Sequence, residues 1–237
     1  MKTIGIIGGM SWESTASYYK QINQRVKAEK GGLHSAKLIL NSVDFAEIEA
    51  LQHKGEWDKT AIILSEAAQS LEKAGADFLL IATNTMHKVA SQVEESVSIP
   101  LLHIADATGR QLAEQGINKV GLLGTAFTME QSFYKQRLTD KFGIEVIVPN
   151  GVQRRLVHDV IYNELCLGEI NARSKQDFKT IIEDLSAEGA QGVILGCTEI
   201  GLLISDQDTD IPLFDTTEIH ANSCLLYTSD AADEVLG

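Results

Sequence analysis

Ile4-Gly5-Ile6-Ile7-Gly8 is followed 116 positions later by Val120-Gly121-Leu122-Leu123-Gly124. Each reads as a short buried β-strand that closes on glycine, and the pair is one trace of an internal duplication. A second trace lies downstream. Leu71, Gly75 and Ala76 match Leu185, Gly189 and Ala190, all 114 positions apart. That register sets Ile81-Ala82-Thr83-Asn84-Thr85 against Leu195-Gly196-Cys197-Thr198-Glu199, with Thr83 opposite Cys197. The two offsets differ by the length of a small loop deletion.

Outward from these anchors, β-rich runs alternate with amphipathic helical stretches, the pattern of a parallel α/β sheet. Strands are expected at 2–7, 37–42 and 77–82, then at 119–123, 145–148, 192–195 and 211–215. Helices are expected at 14–28, 57–74 and 87–96, near Met129, and at 153–167 and 172–188. The fold class that follows is α/β. Two similar parallel-sheet halves are related by a pseudo-twofold, with an active-site cleft between them. The first domain is expected to span 1–100, completed by about 208–221, and the second 101–207. Residues 222–237 read as a non-native tail resembling translated read-through, and carry no functional argument.

Composition narrows the partners. Twenty basic against 33 acidic residues leave a formal charge of −13, which argues against nucleic acid or an anionic membrane surface. No run approaches the length of a membrane span. The three cysteines, Cys166, Cys197 and Cys224, are too few for a disulfide framework and form no Cys-x-x-Cys pair. Free thiols suggest a reducing, cytoplasmic setting. The histidines show no metal spacing, and G-x-G-x-x-G and Walker motifs are absent, so no metal, nucleotide or other cofactor is expected.

In open parallel sheets, ligands bind at the carboxyl ends of strands. Gly8-Gly9-Met10, Thr83-Asn84-Thr85, Gly124-Thr125 and Cys197-Thr198 all fall at such ends. The glycines after the first strand are expected to let backbone amides approach a small anion. Thr83, Asn84 and Thr85 bring two hydroxyls and an amide, suited to helix capping and to holding a carboxylate. Thr125 and Thr128 repeat the hydroxyl pair. A thiol at Cys197, just before an expected helix start, has its thiolate favoured by the helix dipole, whereas a carboxylate at Glu199 opposes it. His87, four residues after Thr83, is placed one helical turn away.

Gly8-Gly9-Met10-Ser11-Trp12-Glu13-Ser14-Thr15, Thr83-Asn84-Thr85-Met86-His87, Leu123-Gly124-Thr125 and Gly196-Cys197-Thr198-Glu199 together resemble the aspartate/glutamate racemase family over about residues 1–221. The likeness is to the bacterial broad-specificity amino-acid racemases acting on L-aspartate and L-glutamate. It implies racemisation of an acidic amino acid without pyridoxal phosphate, by two groups on opposite faces of the α-carbon, in a homodimer. Cys197 matches the second family cysteine, implied to deprotonate the L-enantiomer. Thr83 stands where the family usually has the first cysteine, so the resemblance implies a kinetic bias toward L-substrates. Asn84, Thr85 and Thr198, with loop amides near Met10 and Thr125, are implied to hold the α-carboxylate and ammonium. Gln52 falls in a loop that approaches the side-chain carboxylate in relatives. Some relatives place a lysine just after the stretch matching Ile161 to Leu165, where this chain has Leu167 nearby. Rival readings are a single-cysteine decarboxylase or isomerase of the same superfamily, or a non-catalytic acidic amino-acid binding protein.

Overall fold

Ile4–Gly8 forms β1, the middle strand of a three-stranded parallel sheet ordered β2-β1-β3. Its neighbours are β2 (Leu38–Ser42) and β3 (Phe78–Ile81), with Ile4 opposite both Leu38 and Phe78. Every residue of β1 and β3 is buried, because helices cover both faces of the sheet. The period-2 alternation divides these residues between two cores. Ile4, Ile6, Phe78 and Leu80 pack with Tyr18 and Ile22 on one face. Ile7, Leu79 and Ile81 pack with Leu64, Leu71 and Ile48 on the other. Full burial of a side chain such as Leu64 or Leu71 contributes roughly 2 kcal/mol.

The computed structural model describes residues 1–228 and divides the chain into two units. The first is Met1–Ile104, rejoined by the chain from His220. Its helices start where side chains cap them. In α1 (Trp12–Lys30), Ser11 accepts from the Ser14 amide, and buried Ser14, Thr15, Tyr18, Ile22 and Val26 follow at helical spacing. In α2 (Phe45–His53), Asp44 accepts from the Ala46 amide. In α3 (Trp57–Lys73), Thr60, Ala61, Leu64, Ala67, Ala68 and Leu71 line the buried face. The single helix expected at 87–96 is instead a 3₁₀ turn, Thr85–Val89, followed by α4 (Ala90–Glu95).

The second unit is Ala105–Ile219. Helix α5 (Ile104–Glu114) leads to β4 (Lys119–Leu123), α6 (Ala126–Glu130), α7 (Ser132–Phe142) and β5 (Glu145–Ile147). Then come α8 (Gly151–Asn163), a 3₁₀ turn at Leu165–Leu167, α9 (Ala172–Ala187), β6 (Val193–Leu195) and α10 (Ile200–Leu203). Last are β7 (Leu213–Asp215) and α11 (Thr216–Thr228). The four strands are parallel in the order β5-β4-β6-β7, so β5-β4-β6 repeats the order β2-β1-β3. The duplication reaches the backbone: Gly75 after α3 and Gly189 after α9 share a φ of +94°, a left-handed conformation that needs glycine.

The boundaries expected from sequence are corrected. Leu79 donates to the Pro100 carbonyl and accepts from the Leu102 amide, which holds the chain past residue 100 in the first unit. Most of the stretch 208–221, as far as Ile219, lies in the second unit. Val193 pairs with Leu213 and Leu195 with Asp215, so β7 belongs to the second sheet and the chain returns only at His220. Of the segment 222–237, residues 222–228 continue α11. Ala221 and Cys224 join the core beneath α1, and Tyr227 lies 5.4 Å from Phe78 between ring centroids. The remainder of that segment, 229–237, lies outside the described residues.

Candidate active site

In the first unit, Thr83 is the second residue beyond β3, and Ala82 before it is held from two directions. The Ala82 amide donates to the Ile7 carbonyl, and the Ser14 hydroxyl donates to the Ala82 carbonyl at 2.9 Å. Asn84 and Thr85 follow, both buried, while Thr83 keeps partial exposure. Met10, just past β1, sends its side chain into the α3-side core. Gln52 is not in a loop but on α2, buried, with Nε2 2.9 Å from the Met86 sulfur.

Gly9 departs from the expectation of an anion-facing amide. Its N–H donates to Thr15 Oγ1 at 2.8 Å, so the first turn of α1 already uses it. Its φ of +93° and the Val43 carbonyl, 2.2 Å from where a Cβ would lie, account for the glycine. At Gly9 the tight strand end is used for packing.

In the second unit, Cys197 follows β6 through Gly196, whose amide donates to the Leu123 carbonyl of β4 at 2.6 Å. A Cβ on Gly196 would sit 2.8 Å from that carbonyl oxygen, so the close approach of the two strand ends requires glycine. The β7–α11 junction braces the Cys197 loop on both sides. Thr216 donates to the Leu195 carbonyl at 2.9 Å, and Thr217 donates to the Thr198 hydroxyl at 3.1 Å. Asp215 caps α11 through the Thr217 and Glu218 amides, and burial pushes its carboxyl pKa up. Thr125 caps α6, accepting from the Thr128 amide at 3.4 Å, and the two buried hydroxyls lie 3.3 Å apart. His158 Nδ1 accepts from the Ala126 amide at 3.2 Å.

The thiol chemistry differs from the sequence expectation. The helix after Cys197 is α10, a single turn, too short to build a substantial dipole. Cys197 Sγ instead donates to Glu199 Oε2 at 3.0 Å. Burial of the sulfur, then the Glu199 charge, then the neighbouring Cys166 raise the thiol pKa well above its ordinary value. Cys197 as a residue retains partial exposure, which moderates that rise. The resting group is therefore a thiol facing a carboxylate.

Sequence reasoning missed Thr216, Thr217 and His158, and gave Ser14 no contact of its own. Each is an ordinary hydroxyl or imidazole whose partner lies in another element, so no local pattern announces it. Among the described residues, no group of three or more His, Cys, Asp or Glu side chains is placed to hold a metal ion, and no helix is long and apolar enough to cross a membrane.

Residues 7–224 match the family model described as Asp/Glu/Hydantoin racemase. The chain belongs to this racemase family. A crystal structure assigned as an Asp/Glu racemase, from Yersinia pestis, superposes with a TM-score of 0.91 at 58% identity, covering 96% of this chain and 99% of that one. An aspartate racemase homologue from Pyrococcus horikoshii OT3 gives 0.84 at 37% identity over 97% and 100%. The broad specificity amino-acid racemase RacX of Bacillus subtilis (strain 168) is 25% identical over 229 residues, 93% of this chain and 95% of its own length. Membership in the Asp/Glu/hydantoin racemase family supports amino-acid racemase activity.

Proposed function

We propose that the protein interconverts the L- and D-forms of aspartate or glutamate without pyridoxal phosphate, with Cys197 and Thr83 acting on opposite faces of the α-carbon. One observation carries the reading: Thr83 and Cys197 occupy the same place in the repeat, just past β3 and β6, and Cys197 is hydrogen-bonded to a carboxylate. Asn84, Thr85 and Thr198, with amides near Met10 and Thr125, hold the α-carboxylate and ammonium, and Gln52 serves the side-chain carboxylate. Thr128 supports Thr125.

An amino-acid α-carbon is a weak acid, so the carbanion needs donors around its carboxylate and a strong base beside it. The base is made in place. A substrate ammonium entering beside the thiol favours its ionised form, and Glu199 accepts the thiol proton. The Cys197 thiolate then takes the α-proton of the L-enantiomer. The Thr83 hydroxyl delivers a proton to the opposite face and is reprotonated from solvent, to which Glu199 releases the proton it took from the thiol. In reverse, Thr83 must remove a proton, and an aliphatic hydroxyl is a far poorer base than a thiolate. The enantiomers have equal free energy, so the bias toward L-substrates is kinetic. The reading includes a cytoplasmic homodimer, from the free thiols and the family resemblance.

Proton NMR of α-hydrogen exchange in deuterated water, run on L- and D-aspartate and L- and D-glutamate, tests the proposal. Exchange of the α-hydrogen that starts fast from L-forms and slowly from D-forms is expected, while inversion at limiting substrate runs equally in both directions, as equal free energies require. Equal initial exchange rates from both enantiomers sink the asymmetric model. The single thiol also favours a second reading, a decarboxylase that only reprotonates a carbanion; carbon dioxide release from a malonate-type acid, without exchange of aspartate or glutamate, decides for it. Binding of these amino acids without exchange marks a non-catalytic binding protein.

A further inference from the structure

His87 lies in the same short motif as Thr83, and both of its ring nitrogens are engaged. Nδ1 is 2.8 Å from the Thr83 carbonyl oxygen. A carbonyl only accepts, so Nδ1 carries the hydrogen. Nε2 is 3.2 Å from the Ile104 amide nitrogen, which only donates, so Nε2 presents its lone pair. The two partners select a neutral ring and one tautomer. The ring is buried, 4.5 Å from the His103 ring and 5.9 Å from that of His220 between centroids.

The local backbone explains why an imidazole is used. In an α-helix, the amide of residue 87 would bond the carbonyl of residue 83. Here the turn is 3₁₀, and the His87 amide goes to Asn84 at 3.1 Å. The imidazole supplies the donor that the Thr83 carbonyl would otherwise have drawn from an α-helical turn. Ala82 before Thr83 is fixed by Ile7 and Ser14, and the peptide after Thr83 by His87. The other side of the ring holds Ile104, where α5 begins and the first unit ends. His220, where the chain returns, accepts from Tyr18 at Nδ1 and donates from Nε2 to the Leu102 carbonyl, both at 2.8 Å. Chain exit and chain return are thus tied together beside His87.

We propose that His87 is a positioning residue for Thr83: its neutral Nδ1–H tautomer holds the Thr83 carbonyl, and so aims the Thr83 hydroxyl, while Nε2 anchors that hold to the first amide of α5. The proposal rests on the racemase reading for what the hydroxyl then does, and it assigns a role that the strand-end motifs do not reveal.

Two substitutions separate the two bonds. In His87→Asn the amide nitrogen falls near the place of Nδ1 and keeps the donor to Thr83. In His87→Gln the amide reaches the place of Nε2 and the donor to Thr83 is lost. With L-aspartate in deuterated water, His87→Gln is expected to slow formation of D-aspartate by about tenfold, and to slow deuterium uptake into recovered L-aspartate by less than about threefold. His87→Asn is expected to restore inversion to within about threefold of wild type. Equal loss of exchange and inversion in His87→Gln, without rescue by His87→Asn, reduces His87 to a packing residue and overturns the proposal. Imidazole ¹⁵N NMR of the wild-type protein provides a readout that needs no variant to fold. The Nδ1–H tautomer supports the hold on Thr83, and an Nε2–H tautomer or an imidazolium overturns it. If wild-type protein exchanges no acidic amino acid, the racemase reading falls, and the tautomer decides the His87 hold on its own.

Discussion

Cys197 Sγ donates to Glu199 Oε2 at 3.0 Å, so this sulfur rests as a thiol against a carboxylate two residues away. Burial of the sulfur and the Glu199 charge both raise the pKa of the thiol. A thiol with a raised pKa is ionised less often, but its thiolate is a stronger base.

Replacing Glu199 with Gln keeps the side-chain size and removes the charge. The pH at which Cys197 ionises then falls, read as thiolate absorbance near 240 nm or as faster alkylation by iodoacetamide at neutral pH. With a weaker base and no proton acceptor, α-proton exchange from L-aspartate drops by about tenfold or more. A thiol titration that stays in place or moves to higher pH removes Glu199 as the cause.

A thiol at position 83 restores the symmetry of the repeat. Thr83→Cys is expected to raise the initial exchange rate from D-aspartate by about tenfold or more, because a thiolate replaces a neutral hydroxyl as the base on that face. The rate from L-aspartate changes far less, since Cys197 still removes that proton. A D-aspartate rate no higher than wild type contradicts the assignment of Thr83 to that face.

Asp106 on α5 holds α7 through Arg137 Nη2 and Lys141 Nζ, each 2.8 Å from Oδ2. Burial alone would raise this carboxyl, but the two cations outweigh it and keep its pKa below the ordinary 3.8. The unfolded chain therefore binds the proton first as pH falls, and the stabilisation, full above about pH 5, is lost below it. Asp106→Asn should cost about 2 kcal/mol in urea unfolding at pH 7 and much less at pH 3. An equal cost at both pH values rules out the charge as its origin.

Gly9 and Gly32 both adopt positive φ, +93° and +58°, yet only Gly9 is enclosed, with the Val43 carbonyl 2.2 Å from a Cβ position. Gly32→Ala carries only conformational strain, about 1 kcal/mol. Gly9→Ala adds the displacement of the Val43 backbone and should cost about 3 kcal/mol or more. Thermal or urea unfolding of the two variants gives the comparison, and equal losses refute the packing account.

The sequence by itself determined the repeat, the parallel α/β class and the strand ends that carry Thr83 and Cys197. These are local properties. The unbroken apolar run Ile4-Gly5-Ile6-Ile7 specifies a strand buried on both faces, and Gly75 and Gly189 mark matched turns in the two halves. A cap at Asp44 was also there to be read, and with it α2 and the helical setting of Gln52. Only the tertiary structure decided the rest. Parallel pairing between Val193 and Leu213 assigned β7 to the second sheet, a choice that β7's own residues do not encode. The state of the Cys197 thiol depended on desolvation and on where Glu199 points. The tautomer of His87 depended on Ile104, and the Tyr18–His220 bond spans 202 positions. The physical reason is the same in each case. Periodicity is written in neighbours along the chain, whereas proton affinity and hydrogen-bond partners are set by whichever segments folding brings together.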